Sequence, residues 1–423
     1  MLRIAAWFRA LAGGYATQYK INLVTPLWRR SMTIRRQLSR RAMLLVLHPV
    51  FALTGAADAI TGPMLPSLAR AFALSDSESG ILLFAVFLGM ALGALLCRGN
   101  YARIQVAGLM ALTLSCIVFP WISRPMLYPF SFFFGVSTGT PMTAISLFAG
   151  RNYPERRAAT LTLLNFSWSL GALLAPLLAA RLLAFTSWHA VYYVMAGAAA
   201  LATVAASLTI RDTTEIARST PETTGLRNLR LVGLFAAFFF LEVGMESMFG
   251  AWITTYLLRV TSITLMLAAA ATAIYWAGFL ISRAISPLLM LRLRPGRLLA
   301  LALLAALSGA TLLITARSPA LMAAATLLLG AALAPVFPVA LAAFFERARH
   351  SSDTRFVLAV SGFGASVFPG LVGWISAHTG SLRAGMGSGP VTLLAMIVML
   401  PLLSVGSGLA GSASQLDGSR TGA

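Results

Sequence analysis

The chain has 423 residues, of which 58% are hydrophobic and 10% charged, and its formal net charge is +20. Soluble globular proteins carry roughly 25% charged residues, so composition excludes that class, and a mean hydropathy of +0.83 agrees. Two cysteines, Cys97 and Cys116, build neither a disulfide framework nor a metal cluster and read as small packing residues.

In chain order, residues 1–41 form a basic leader with nine Lys or Arg from Arg3 to Arg41. It has no apolar core followed by a cleavage site, so it does not read as a signal peptide. It is either a cytoplasmic amphipathic segment or the product of a start upstream of Met32. Apolar windows of about 20 residues then recur, each long enough to span a bilayer. The first six are Ala42–Leu65, Gly80–Leu96, Ile104–Ile122, Leu127–Ala149, Ala159–Leu183 and Val191–Ile210. Residues 211–230 are polar and mixed in charge, and read as a cytoplasmic loop. Six further spans start near Leu231 and continue as Ile263–Leu291, Leu298–Ala316, Leu321–Phe345, Phe356–Ala377 and Val391–Val405. A Gly/Ser-rich tail, 406–423, reads as flexible. The expected fold is an all-α polytopic membrane protein of twelve transmembrane helices. Its halves are residues 42–210 and 231–405.

The arginines sort by side. The turns that follow odd-numbered spans carry one each: Arg70, Arg124, Arg181, Arg259, Arg317 and Arg383. The other turns carry two or more, such as Arg292, Arg294 and Arg297. The more basic side is cytoplasmic, which puts both termini in the cytoplasm of a bacterial plasma (inner) membrane. The charge then answers to a lipid bilayer, with no nucleic-acid partner.

The halves echo each other at a spacing of about 190 residues. Asp58 and Gly62 match Glu246 and Gly250; Gly171 and Pro176 match Gly364 and Pro369; Glu155 matches Glu346. Paired six-span halves with a solute site near mid-membrane are a common transporter plan. Several stretches carry a resemblance to a known family: GAADAITGPMLPSLARAF, LNFSWSLGALLAP, VGMESMFGAWITTY, YWAGFLISR, LAPVFP and GFGASVFPGLVGW. The chain resembles the major facilitator superfamily, within it the fucose/glucose–galactose permease branch. The resemblance implies two pseudo-repeated six-helix bundles, spans 1 and 7 lining the cavity, and a sugar-like substrate. Two departures stand out. Cys97-Arg98 replaces the family's Asp-Arg after span 2, and MTAIS (Met142 to Ser146) stands where fucose-type members carry a carboxylate and an amide.

Intramembrane carboxylates are costly and persist where they face a partner or a water path. Asp58, Glu242 and Glu246 are therefore the expected coupling groups, for H⁺ or Na⁺, with no other cofactor and no metal site. Arg283, inside span 8, needs a counter-charge, and Glu242 is its expected ion-pair partner. Asn165, Trp168, Trp252, Tyr275 and Trp276 are candidate substrate contacts, because amides and aromatic faces suit sugars. Arg98, Glu155, Glu346 and Arg355 are candidates for a cytoplasmic gate. Pro335 and Pro338 are expected to bend span 10. The expected function is cation-coupled symport of a small polar solute by alternating access, with the monomer as working unit. A proton-coupled exporter of amphipathic compounds and a non-transporting solute sensor are the alternatives. No nucleophile–base or metal constellation marks an enzyme.

Overall fold

The leucine- and alanine-rich windows form helices because, away from water, only a helix satisfies every backbone group within its own segment. The computed structural model describes residues 27–210, 228–290, 292–347 and 351–403; the leader before residue 27, the loop 211–227 and the tail after 403 lie outside them. Residues up to Leu45 cluster as one unit and those from Val46 as a second.

The helices are α1 Leu27–Ala59, α2 Thr61–Ala71, α3 Asp76–Leu95, α4 Tyr101–Val118, α5 Leu127–Asn152, α6 Arg157–Phe185 and α7 Trp188–Thr209. After the inter-half segment come α8 Leu229–Val260, α9 Leu265–Met290, α10 Pro295–Thr315, α11 Pro319–Leu333, α12 Val336–Phe345, α13 Ser351–Thr379, α14 Leu382–Met386 and α15 Ser388–Leu403. Among the described residues no strand occurs, and 12 stretches are long and apolar enough to cross a membrane. Their outer faces remain hydrocarbon: Leu201, Leu208 and Val398 are 74%, 73% and 72% exposed, which suits a lipid surface and not water.

Starts are set by local chemistry. Asn100, Asn228 and Ser318 accept from the backbone N–H three residues on, and Pro opens α10 and α11, where its missing N–H costs nothing. Ser75 and Glu78 form a reciprocal capping box at α3.

Two expected spans are each split in two. Pro63 has no N–H for the Ala59 carbonyl, and the first span divides there into α1 and α2. Pro338 does the same to Ala334, and the expected bend in span 10 is the α11–α12 break. The last span begins earlier than expected, with the short helix α14 ahead of α15.

Packing pairs α3 with α5 and α8 with α13 inside the two halves. Three other pairs join the halves: α2 with α8, α3 with α13, and α6 with α9. At the first of these, a Cβ on Gly62 would lie 2.3 Å from the Gly250 carbonyl oxygen, so the two backbones cross in direct contact. At the second, a Cβ on Gly373 would lie 2.4 Å from the Asp76 carbonyl oxygen. Small residues on spans 4 and 11 let helices approach closely, with Gly135 against Val86 and Gly364 against Phe240.

Candidate functional site

Asp58 occupies the last turn of α1, just before the break, and Glu246 lies midway along α8. The crossing of α2 over α8 brings them to one small cavity. Ser247, Phe87 and Trp276 complete its working surface, with Gly62 and Gly250 at one wall. The carboxylates from matching positions of the two halves thus share a pocket, with a hydroxyl and an indole beside them. Such a set can hold a proton or a small cation and accept hydrogen bonds from a hydroxylated solute.

Behind Trp276 lies an aromatic wall. Trp168 meets it edge to face, ring centroids 5.5 Å apart at 82°, and Tyr275 and Phe279 pack on it at 5.1 and 5.2 Å. The Tyr275 hydroxyl donates to the Glu246 carbonyl at 3.3 Å. The indole N–H groups of Trp168 and Trp276 are buried without an acceptor. Of the five residues expected to meet solute, Trp276 lines the cavity, Trp168 and Tyr275 support it, and two lie elsewhere. Trp252 is fully buried and donates to the Pro369 carbonyl at 3.0 Å, which ties α8 to α13. Asn165 is exposed, and its amide donates back to the Leu161 carbonyl at 2.9 Å.

The expected Glu242–Arg283 ion pair is not formed. Both Glu242 oxygens are buried without a hydrogen-bond partner. Arg283 turns instead across the α9–α6 contact and donates to Ser169 Oγ at 2.6 Å. Its guanidinium carbon lies 5.4 Å from the Trp168 and Phe279 ring centroids, so cation–π attraction holds it on that side.

The expected gate contact between the glutamates and Arg98 is not formed. Arg98, Glu155, Glu346 and Arg355 are all exposed at one end of the helices, and neither glutamate pairs with Arg98. The closed end is the opposite one. There Arg259, at the end of α8, grips Asp76, at the start of α3, through both guanidinium nitrogens. The Nη1–Oδ2 distance is 2.6 Å, and Ser376 of α13 donates to Asp76 at 2.5 Å. The Asp76 side chain is 14% exposed. Nearby, Glu78 meets Arg124 at 2.7 Å in a more exposed pair inside the first half. Sequence reading missed this clasp. The S-x-x-E capping signature at Ser75 could have placed Asp76 at a helix mouth, and Arg259 was read only for sidedness.

A helical membrane protein whose first and second sets of spans enclose a cavity lined by carboxylates has the build of a solute carrier. The family comparison agrees: the Major Facilitator Superfamily model matches residues 47–353, and the chain belongs to that superfamily. It is a multi-pass membrane transporter and not an enzyme. The glucose/mannose transporter GlcP of Bacillus subtilis (strain 168) is 22% identical over 353 residues, covering 77% of this chain and 86% of that protein. The D-xylose-proton symporter structure superposes with a TM-score of 0.69 at 14% identity, over 84% of this chain and 96% of that one. FucP, a superfamily transporter solved in the outward conformation, gives 0.59 at 16% identity, over 85% and 98%. At these identities the structural likeness carries the fold alone.

Proposed function

We propose that the protein is a cation-coupled symporter of a neutral, sugar-like solute in a bacterial plasma membrane, with both termini cytoplasmic. The observation that carries this reading is the shared cavity of Asp58 and Glu246, beside the unpaired indole N–H of Trp276. A hydroxylated ring offers donors to the carboxylates and an acceptor to the indole, and its apolar face suits the aromatic wall. The names of the glucose/mannose transporter and the D-xylose-proton symporter support sugar and proton respectively.

In this reading residues 42–210 and 231–405 rock against each other, and segment 211–230 joins them. The arginine distribution makes the Asp76–Arg259 end the outer one, so the present state is shut to the outside. Solute and cation enter together from outside. Neutralising Asp58 and Glu246 lowers the cost of enclosing them in a low-dielectric core. The coupling ion is H⁺ or Na⁺, and no other cofactor takes part.

Uptake of labelled D-glucose and D-mannose into proteoliposomes, driven by a proton or a sodium gradient, tests the reading. Glu246→Gln should abolish uphill accumulation and leave counterflow exchange partly intact. Accumulation at the wild-type level in that variant removes Glu246 from the mechanism.

A further inference from the structure

Arg283 is a cation inside a membrane helix, yet its hydrogen-bond partner is a neutral hydroxyl. Ser169 is fully buried, and its own hydroxyl donates to the Asn165 carbonyl at 3.0 Å. Its oxygen is therefore free to act as acceptor, and it receives Arg283 Nη1 at 2.6 Å. A serine fixes the guanidinium in place without cancelling its charge, which a carboxylate would do. The charge acts on what surrounds it.

The ionisable groups that face Arg283 are Glu246 and Glu242 of α8 and Tyr275 of its own helix. Glu242 in turn faces Glu246 and Arg283, and Asp58 faces Glu246. The other helices packed on α9, namely α2, α6, α10 and α11, bring no Asp or Glu. Three acids and one cation thus share the interior, and among the described residues the cation forms an ion pair with none of the three.

We propose that Ser169 is a positioning residue: it stations Arg283 as an unneutralised cation behind the cavity wall, and so sets how tightly Asp58 and Glu246 hold the coupling cation. The proposal rests on the coupling role given to those two acids above. Too close an approach by Arg283 would satisfy the acids permanently and displace the travelling ion. Its removal would leave them gripping that ion too firmly to release it. Trp168 and Phe279 serve as the other side of the cradle.

Two variants should move the cavity in opposite directions. Ser169→Ala frees the guanidinium to approach the acids and favours their ionised forms. Arg283→Gln removes the cation and disfavours them. An opposite charge at close range shifts a carboxylate by about 1–3 pH units. The full-length protein in liposomes is titrated with pH, and infrared difference spectra follow the C=O band of protonated carboxyls. Asp58→Asn and Glu246→Gln identify the contribution of each acid. The midpoint should move by about one unit toward acid in Ser169→Ala and by about one unit toward alkali in Arg283→Gln. Ser169→Thr keeps the hydroxyl and should titrate as wild type. Ser169→Val has the shape of Thr without the acceptor and should follow Ser169→Ala, so this pair carries the test if the alanine variant does not fold. A wild-type band that titrates but does not move in the variants overturns the inference alone, as do shifts of the same sign in both. A wild-type protein with no titrating carboxyl band overturns H⁺ as the coupling ion, and the inference with it.

Discussion

Glu242 is fully buried and both its oxygens lack partners, an arrangement that costs folding energy. Leaving a buried polar group unsatisfied costs about 1–3 kcal/mol, so Glu242→Met should stabilise this state by about that much. The expected reading is a higher midpoint of thermal unfolding for the purified protein. A lowered midpoint would show that Glu242 has a partner that matters. Asp58 and Glu246 were legible in the sequence because an acid in hydrocarbon has few reasons to be there. Trp252 and Asn165 were misread for a different reason. The depth of a residue follows from counting along a span, but its azimuth follows from how the helix is rolled against its neighbours. Trp252 faces the Pro369 carbonyl and not the cavity, and nothing local to it in the sequence says so. Arg283 was likewise assigned the wrong partner, because Ser169 is 114 residues away in the chain.

At the scale of the element, the closed end depends on helix crossings and one charged clasp. Gly62 meets Gly250 backbone to backbone, and no rotamer of a larger side chain relieves a contact of that kind. Gly62→Val should hold α2 and α8 apart and so keep that end open. The check is a single reporter cysteine, Ser247→Cys, with Cys97 and Cys116 replaced. Labelling by a membrane-impermeant maleimide from the Asp76 side should speed up when Gly62→Val is added, and an unchanged rate would place the seal elsewhere. Asp76→Asn should also speed labelling, by less. Exposed ion pairs contribute about 0–1 kcal/mol, and a bidentate, half-buried pair belongs at or above the top of that range. The helix breaks were partly legible: Pro335 and Pro338 announced theirs, while the division between α1 and α2 follows from Pro63 by the same rule, yet the first span read as continuous.

For the whole molecule, the span count and the echo between halves could be read from hydropathy and spacing, because membrane burial demands both. The echo has a geometric counterpart. Gly62 and Gly250 occupy matching places in the repeat, and they are the two residues that touch. Which end is shut could not be read. A carrier must close at each end in turn, so the sequence encodes both arrangements and favours neither in its pattern. Only coordinates reveal that Asp76 is gripped by Arg259 at one end.

The two seals at the shut end differ in kind. Crossed glycines interlock no side chains, so parting them disturbs no rotamer. Parting Asp76 from Arg259 means rehydrating two opposite charges, one of them 45% exposed already. Dissolved ions weaken that attraction, over a range of about 10 Å at 0.1 M salt. The dwell time of the shut state should therefore shorten as electrolyte is added on that face alone. The medium bathing one side of the membrane would then tune the turnover of the carrier without touching its cavity.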